Sequence, residues 1–210
     1  MITIGDSKAG SFQEPLALME DCHRRIERFL GILLLIVNAA RDEPLSVEHR
    51  EGMERSLRYF RSAAPLHTQD EEASLFPRMR ACSHPDVRAA MKDLSSLESD
   101  HRRAELAHAE VDSLGQMWLD TGSLSTEGRE RMALLLEDLQ RSYRRHIDLE
   151  DSCVYPLAGR ALDADSIQAV GREMAHRRGV DFHAPADGSR CVRGREPTQA
   201  RDAAGQRREI

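Results

Sequence analysis

Two pairs of residues open the reading: His67 with Glu71, and His146 with Glu150, each four positions apart. On a helix that spacing puts both side chains on one face with Cβ atoms about 5–6 Å apart, so an imidazole and a carboxylate can reach one cation or two adjacent cations. A single such pair is weak ground for a site, because it also forms ordinary surface pairs. Two copies at matched positions are stronger, and the chain does repeat itself. A shift of 78 aligns Met19, Glu20, His23, Arg24, Arg25 and Glu27 with Leu97, Glu98, His101, Arg102, Arg103 and Glu105. A shift of 79 aligns His67, Glu71, Glu72, Leu75, Phe76 and Pro77 with His146, Glu150, Asp151, Val154, Tyr155 and Pro156. The chain is an internal duplication that supplies four imidazoles and two carboxylates.

The elements that must position these groups follow from the apolar spacing. A first helix is predicted over about 13–41, with Leu16, Met19, His23, Ile26, Leu30, Leu33 and Val37 on one stripe. Pro44 breaks the chain and Ser46 can cap a second helix, whose stripe (Met53, Leu57, Phe60, Ala64, His67, Glu71) runs up to Pro77. Pro65 inside it predicts a kink just before His67. A third helix carries Leu94, Leu97, His101, Ala104, His108 and Val111 and ends near Gly122. A fourth, capped by Ser125 or Thr126, carries Met132, Leu139, Tyr143, His146, Glu150, Cys153 and Leu157. Four long amphipathic helices with short connections predict an all-α fold, an antiparallel four-helix bundle of two helical hairpins related by a pseudo-twofold axis. A short fifth helix over about 165–178 is expected to pack outside it. From 179 to 210 no apolar periodicity remains, so a disordered tail is expected there, with His183 and Cys191 idle in it.

Polar groups left without partners in a core would cost several kcal/mol in all, and the bland alternative is a set of core histidines satisfied by nearby carboxylates. A metal explains His23, His67, Glu71, His101, His146 and Glu150 together, and mixed nitrogen and oxygen donors suit Fe, Mn or Zn. A competing set uses Glu20 with His23 and Glu98 with His101, the Glu-x-x-His spacing of ferritin-like di-iron proteins, but leaves His67 and His146 unexplained. Glu72 and Asp151 are expected to face outward or accept hydrogen bonds behind the ligands. His108 and Tyr143 are read as core, Cys22 and Cys153 as packing, and Trp118 as a cover at the end of the third helix.

The order His, His-x-x-x-Glu, His, His-x-x-x-Glu, with HTQDEEASLFP closing the second helix and HIDLEDSCVYP the fourth, resembles the hemerythrin-like HHE cation-binding family over about residues 12–178. The resemblance implies a non-haem di-iron centre with His23, His67, His101 and His146 as terminal ligands and Glu71 and Glu150 as bridges. It departs from the oxygen-carrying hemerythrins at Glu105, where those have a second histidine on the third helix. That departure implies either an open coordination position or a Glu105 ligand, and chemistry closer to sensing or turnover than to oxygen transport.

Composition limits the remaining choices. A net charge of −6 provides no basic field for nucleic acid or anionic lipid. The longest apolar run, 29–37, falls short of the roughly 20 residues a membrane-spanning helix needs. Four scattered cysteines and an N-terminal stretch without a signal pattern make the cytoplasm the expected location. The leading expectation is a di-iron protein, with Mn or Zn as substitutes, that meets oxygen, peroxide or nitric oxide in sensing, detoxification or iron handling. A ferritin-like oxidase or peroxidase and a metal-stabilised interaction module are the alternatives, and a homo-oligomer is allowed.

Overall fold

The computed structural model describes residues 10–39 and 44–182. Among these every regular element is helical: α1 (Pro15–Ala39), α2 (Val47–Ser62), α3 (Ala64–Asp70), α4 (Phe76–Ala81), α5 (Pro85–Ala89), α6 (Met91–Thr121), α7 (Thr126–Leu149), α8 (Tyr155–Ala161) and α9 (Ala164–Arg177). Two five-residue π-helical segments, Glu71–Leu75 and Glu150–Val154, join α3 to α4 and α7 to α8. The expected tail lies outside the described residues from 183 onward, as do His183, Cys191 and residues 40–43.

The starts and stops have local causes. Ser46, Ser125 and Asp163 accept hydrogen bonds from the backbone N–H groups of His49, Gly128 and Ser166, capping α2, α7 and α9. Gly122 adopts φ 77°, the left-handed conformation that lets α6 end. Where a kink was expected just before His67, the helix is interrupted earlier, at Ala63, and resumes as α3 with Pro65 in its first turn.

Pro77 does not end the second rod as expected; helix continues to Ala81. Proline lacks an N–H and its ring crowds the carbonyl four residues back, here that of Ala73. The preceding backbone widens into a π turn, in which the Phe76 N–H bonds to the Glu71 carbonyl, five residues back. Pro156 does the same in the other half, where the Tyr155 N–H bonds to the Glu150 carbonyl. The extra residue in that turn changes which side chains face inward. Val154 is buried at 1% exposure while Cys153, expected on the packed stripe, is exposed.

α1 packs along α7 and α2, and α6 along α7 and α2. Their apolar stripes form two cores. One, centred on Ile26, Leu30, Leu57, Trp118, Met132 and Leu136, occupies one end; Trp118 belongs to this core and does not merely cover a helix end. The other gathers Met19, Leu75, Phe76, Met79, Leu94, Leu97 and Tyr155. α9 packs on α1 and α3, with Val170 and Met174 fully buried in the second core.

Candidate metal centre

All six sequence-selected side chains converge. His23 comes from α1, His67 from α3, His101 from α6 and His146 from α7, while Glu71 and Glu150 are the first residues of the two π segments. Donor atoms of His23, His67, Glu71 and Glu150 lie within 4.8 Å of one another, and so do those of Glu71, His101, His146 and Glu150. The two groups share both carboxylates. Glu71 Oε1 is 3.6 Å from His67 Nε2 and its Oε2 is 3.3 Å from His101 Nε2. Glu150 Oε2 is 3.1 Å from His23 Nε2 and 3.2 Å from His146 Nε2. Each carboxylate therefore touches both histidine pairs.

Local backbone makes this convergence cheap. The Glu71 and Glu150 N–H groups still bond to the carbonyls of His67 and His146, so each His-x-x-x-Glu pair sits on a regular α turn and the widening begins just after it. Single π turns inside α-helices are commonly found at functional sites.

The donor set fits a metal. Glu71, Glu150 and His67 are buried at 0%, 0% and 3% exposure, and His67 Nδ1, Glu71 Oε2 and both Glu150 oxygens have no hydrogen-bond partner of acceptable geometry. His101 Nε2 and His146 Nε2 stand 3.0 Å apart, while His101 Nδ1 contacts Glu72 Oε1 at 2.8 Å. With the His101 proton on Nδ1, its Nε2 lone pair faces the centre, the arrangement by which a carboxylate orients a metal-binding histidine. His23 repeats it, with Nδ1 2.7 Å from Asp151 Oδ1. Glu72 and Asp151 thus stand behind the clustered histidines, one of the two roles the sequence allowed them.

Without a cation, protons must balance these charges. Burial lowers the pKa of His23, but its contacts with Asp151 and Glu150 outweigh that and raise it to about 10. His101 rises to about 9 in the same way, against burial, through Glu71 and Glu72. His67 goes the other way, pushed down to about 3 by burial. Burial raises Glu71, yet His67, His101 and His23 hold it well below the usual carboxylate range.

Other candidates stay outside the cluster. Glu98 pairs with Arg80 at 2.7 Å, and neither it nor Glu20 joins the donor groups. Glu105 is exposed and stands at the edge of a neighbouring cavity. His108 bonds to the Tyr143 hydroxyl at 3.1 Å and stacks on Phe60, and burial takes its pKa down to about 4.

Three contributors escaped the sequence reading. The Tyr155 hydroxyl donates to Glu71 Oε1 and lies 3.2 Å from His23 Nε2. The signal was present, since Tyr155 stands where the repeat has Phe76. Asp100 Oδ2 is 3.7 Å from His146 Nδ1, in the position where the repeat has Cys22. Asp70, fully buried beside Glu71, is held by Arg177 at 2.9 Å and by Arg178 at 2.7 Å. Arg177 also bonds to Ser74, whose hydroxyl donates to Glu173, itself paired with Arg78. α9 in this way ties down both ends of the first π segment.

Among curated proteins, a Haemophilus influenzae protein described only as uncharacterized is 27% identical over 171 residues, covering 81% of this chain and 93% of the relative. The family model of the hemerythrin HHE cation binding domain matches residues 14–158, which contain all six clustered side chains. With that span matched over more than half its length, the chain belongs to the hemerythrin HHE cation-binding family.

Proposed function

We propose that the protein is a non-haem di-iron protein whose centre is held by His23 and His67 on one ion, His101 and His146 on the other, and Glu71 and Glu150 across both. The observation that carries this is the sharing of the two carboxylates: each contacts one histidine of either pair, and both are fully buried. Six inward donors exceed what one tetrahedral ion uses. The scaffold is read as an antiparallel four-helix bundle, with residues 12–178 as the domain. Two bound irons would supply one-electron redox chemistry toward oxygen, peroxide or nitric oxide, in sensing, detoxification or iron handling.

The chain's own contribution is to fix the ligands before the metal arrives. Glu72 and Asp151 set the tautomers of His101 and His23, so their Nε2 atoms are available without rotation. Tyr155 holds Glu71 Oε1, and Asp70 anchors the turn from which Glu71 projects. Glu105 lies outside both donor groups, which favours an open position over a Glu105 ligand.

Metal analysis of the purified protein together with its ultraviolet-visible spectrum before and after dithionite tests the reading. Two irons per chain and a ferric absorption that bleaches on reduction are expected. One tetrahedral zinc per chain after anaerobic iron loading overturns it.

A further inference from the structure

Three of the four clustered histidines have a carboxylate behind them. His23 Nδ1 meets Asp151 Oδ1 at 2.7 Å and His101 Nδ1 meets Glu72 Oε1 at 2.8 Å. His23 and His101 occupy matched positions in the repeat, as do Asp151 and Glu72. His146 Nδ1 faces Asp100 Oδ2 at 3.7 Å, a distance at which charge acts without a direct hydrogen bond, while Asp100 Oδ1 is taken by Arg103. His67 differs. Its ring is buried at 3% exposure and its Nδ1 has no hydrogen-bond partner.

The repeat locates the cause. Asp100 lies one residue before His101, and the position 78 residues earlier is Cys22, a buried free cysteine whose thiol is a weak hydrogen-bonding group. The first half does carry Asp21, but one position earlier, where it pairs with Arg24 and accepts from the Gly10 N–H. A second difference points the same way. The Tyr155 hydroxyl donates to Glu71 Oε1, the oxygen that faces His67 Nε2 at 3.6 Å, whereas neither Glu150 oxygen has a hydrogen-bond partner of acceptable geometry. A carboxylate behind the Nδ1–H of a metal-binding imidazole makes Nε2 a stronger donor and adds negative charge near the ion, and losing such a partner typically costs roughly 10–100-fold in metal affinity. A hydroxyl bonded to a ligand oxygen draws part of that oxygen's charge away from the ion.

We propose that the two metal positions are unequal, the one at His101 and His146 binding its ion more tightly than the one at His23 and His67, and that the difference between Asp100 and Cys22 across the repeat sets this order. Asp100 is a positioning residue, acting through His146 and not on the ion itself. The proposal rests on the two-ion reading above and goes beyond it by ranking the two positions.

Anaerobic titration of the metal-free, full-length protein with Co(II), followed by visible absorption, tests the order. Two ions that share carboxylates repel each other, so a gap between two binding steps is expected of equal positions as well. The response of that gap to substitution separates the cases. Asp100→Asn weakens the tighter position and should narrow the gap about tenfold, whereas Asp151→Asn weakens the position of His23 and should widen it by a similar factor. The Asp100 and Asp151 side chains are 21% and 36% exposed, so both variants are expected to fold. Cys22→Asp supplies the missing charge and should also narrow the gap, while Cys22→Ala, which removes only the thiol, should leave both steps in place. Widening in both aspartate variants is the mark of equal positions and overturns the proposal, as does narrowing in Asp151→Asn or loss of a step in Cys22→Ala. A protein that takes up one Co(II) or none refutes the two-ion reading itself, whereas two ions with widening in both variants refute the order alone.

Discussion

The two histidine pairs occupy equivalent places in the duplication and sit in different surroundings. The His23 and His67 side is covered by α9, contacts the Tyr155 hydroxyl, and lies next to Asp70 with its two arginines. The His101 and His146 side has no counterpart of that clamp, since Leu149 stands where Asp70 would be, and the cavity beside the cluster is lined by His67 as well as by His101 and His146. The repeat supplies the His-x-x-x-Glu pattern twice, and differences at a few positions give only one half the buried Asp70 with its two arginines.

The largest expected effect treats the sides alike. Glu71→Ala and Glu150→Ala each remove a carboxylate that both pairs share, so each should leave less than about half an iron per chain, whereas Glu20→Ala and Glu98→Ala should leave iron content intact. Iron analysis of the four variants checks this, and equal losses would favour the ferritin-like set.

Asp70→Ala separates the sides. It deletes the acceptor of two arginines that are only 17% and 20% exposed. Burial already raises the Asp70 pKa despite those partners, so the net value of the cluster is modest. A loss of about 2–3 kcal/mol, or about 5–10 °C in Tm, is expected by calorimetry, because the arginines can partly rehydrate. A matching loss in Leu149→Ala would erase the claimed difference.

Acidity sharpens the comparison in the metal-free protein. His23 and His101, raised to about 10 and 9, give stability that is complete below 6.5 and is lost as pH climbs through those values. His67 and His108, lowered to about 3 and 4, give stability that is present above 6.5 and is lost as pH falls toward 4. Tm should therefore peak near pH 6.5 and fall by several degrees on either side. Metal should flatten the alkaline arm by displacing the protons on His23 and His101. A Tm that keeps rising to pH 9 without metal would contradict the assignment.

Tyr155→Phe makes the two halves alike at that position and has the smallest expected effect. Losing one hydrogen bond to a carboxylate should cost about 1–2 kcal/mol, with iron retained and the ferric absorption maximum moved. An unchanged spectrum would mean that the hydroxyl does not influence Glu71.

The sequence by itself determined the repeat, the all-helical character and the stripes that carry the six clustered side chains, because each can be read from spacing along the chain. His-x-x-x-Glu needs only a regular turn, and helical stripes report burial wherever the partner lies. Cys153 was misread because a π turn displaces the stripe by one residue, although Pro77 and Pro156, each six residues after its glutamate, were its visible cause. Only the tertiary structure decided which half carries the arginine clamp. Asp70 meets Arg178 across 108 positions, and Tyr155 meets Glu71 across 84. Such contacts depend on how α9 and α8 dock, and no local preference of the chain records them. The cavity likewise is lined from α2, α3, α6 and α7 together, by Leu57, His67, His101 and Tyr143 among others, and none of these helices specifies it alone.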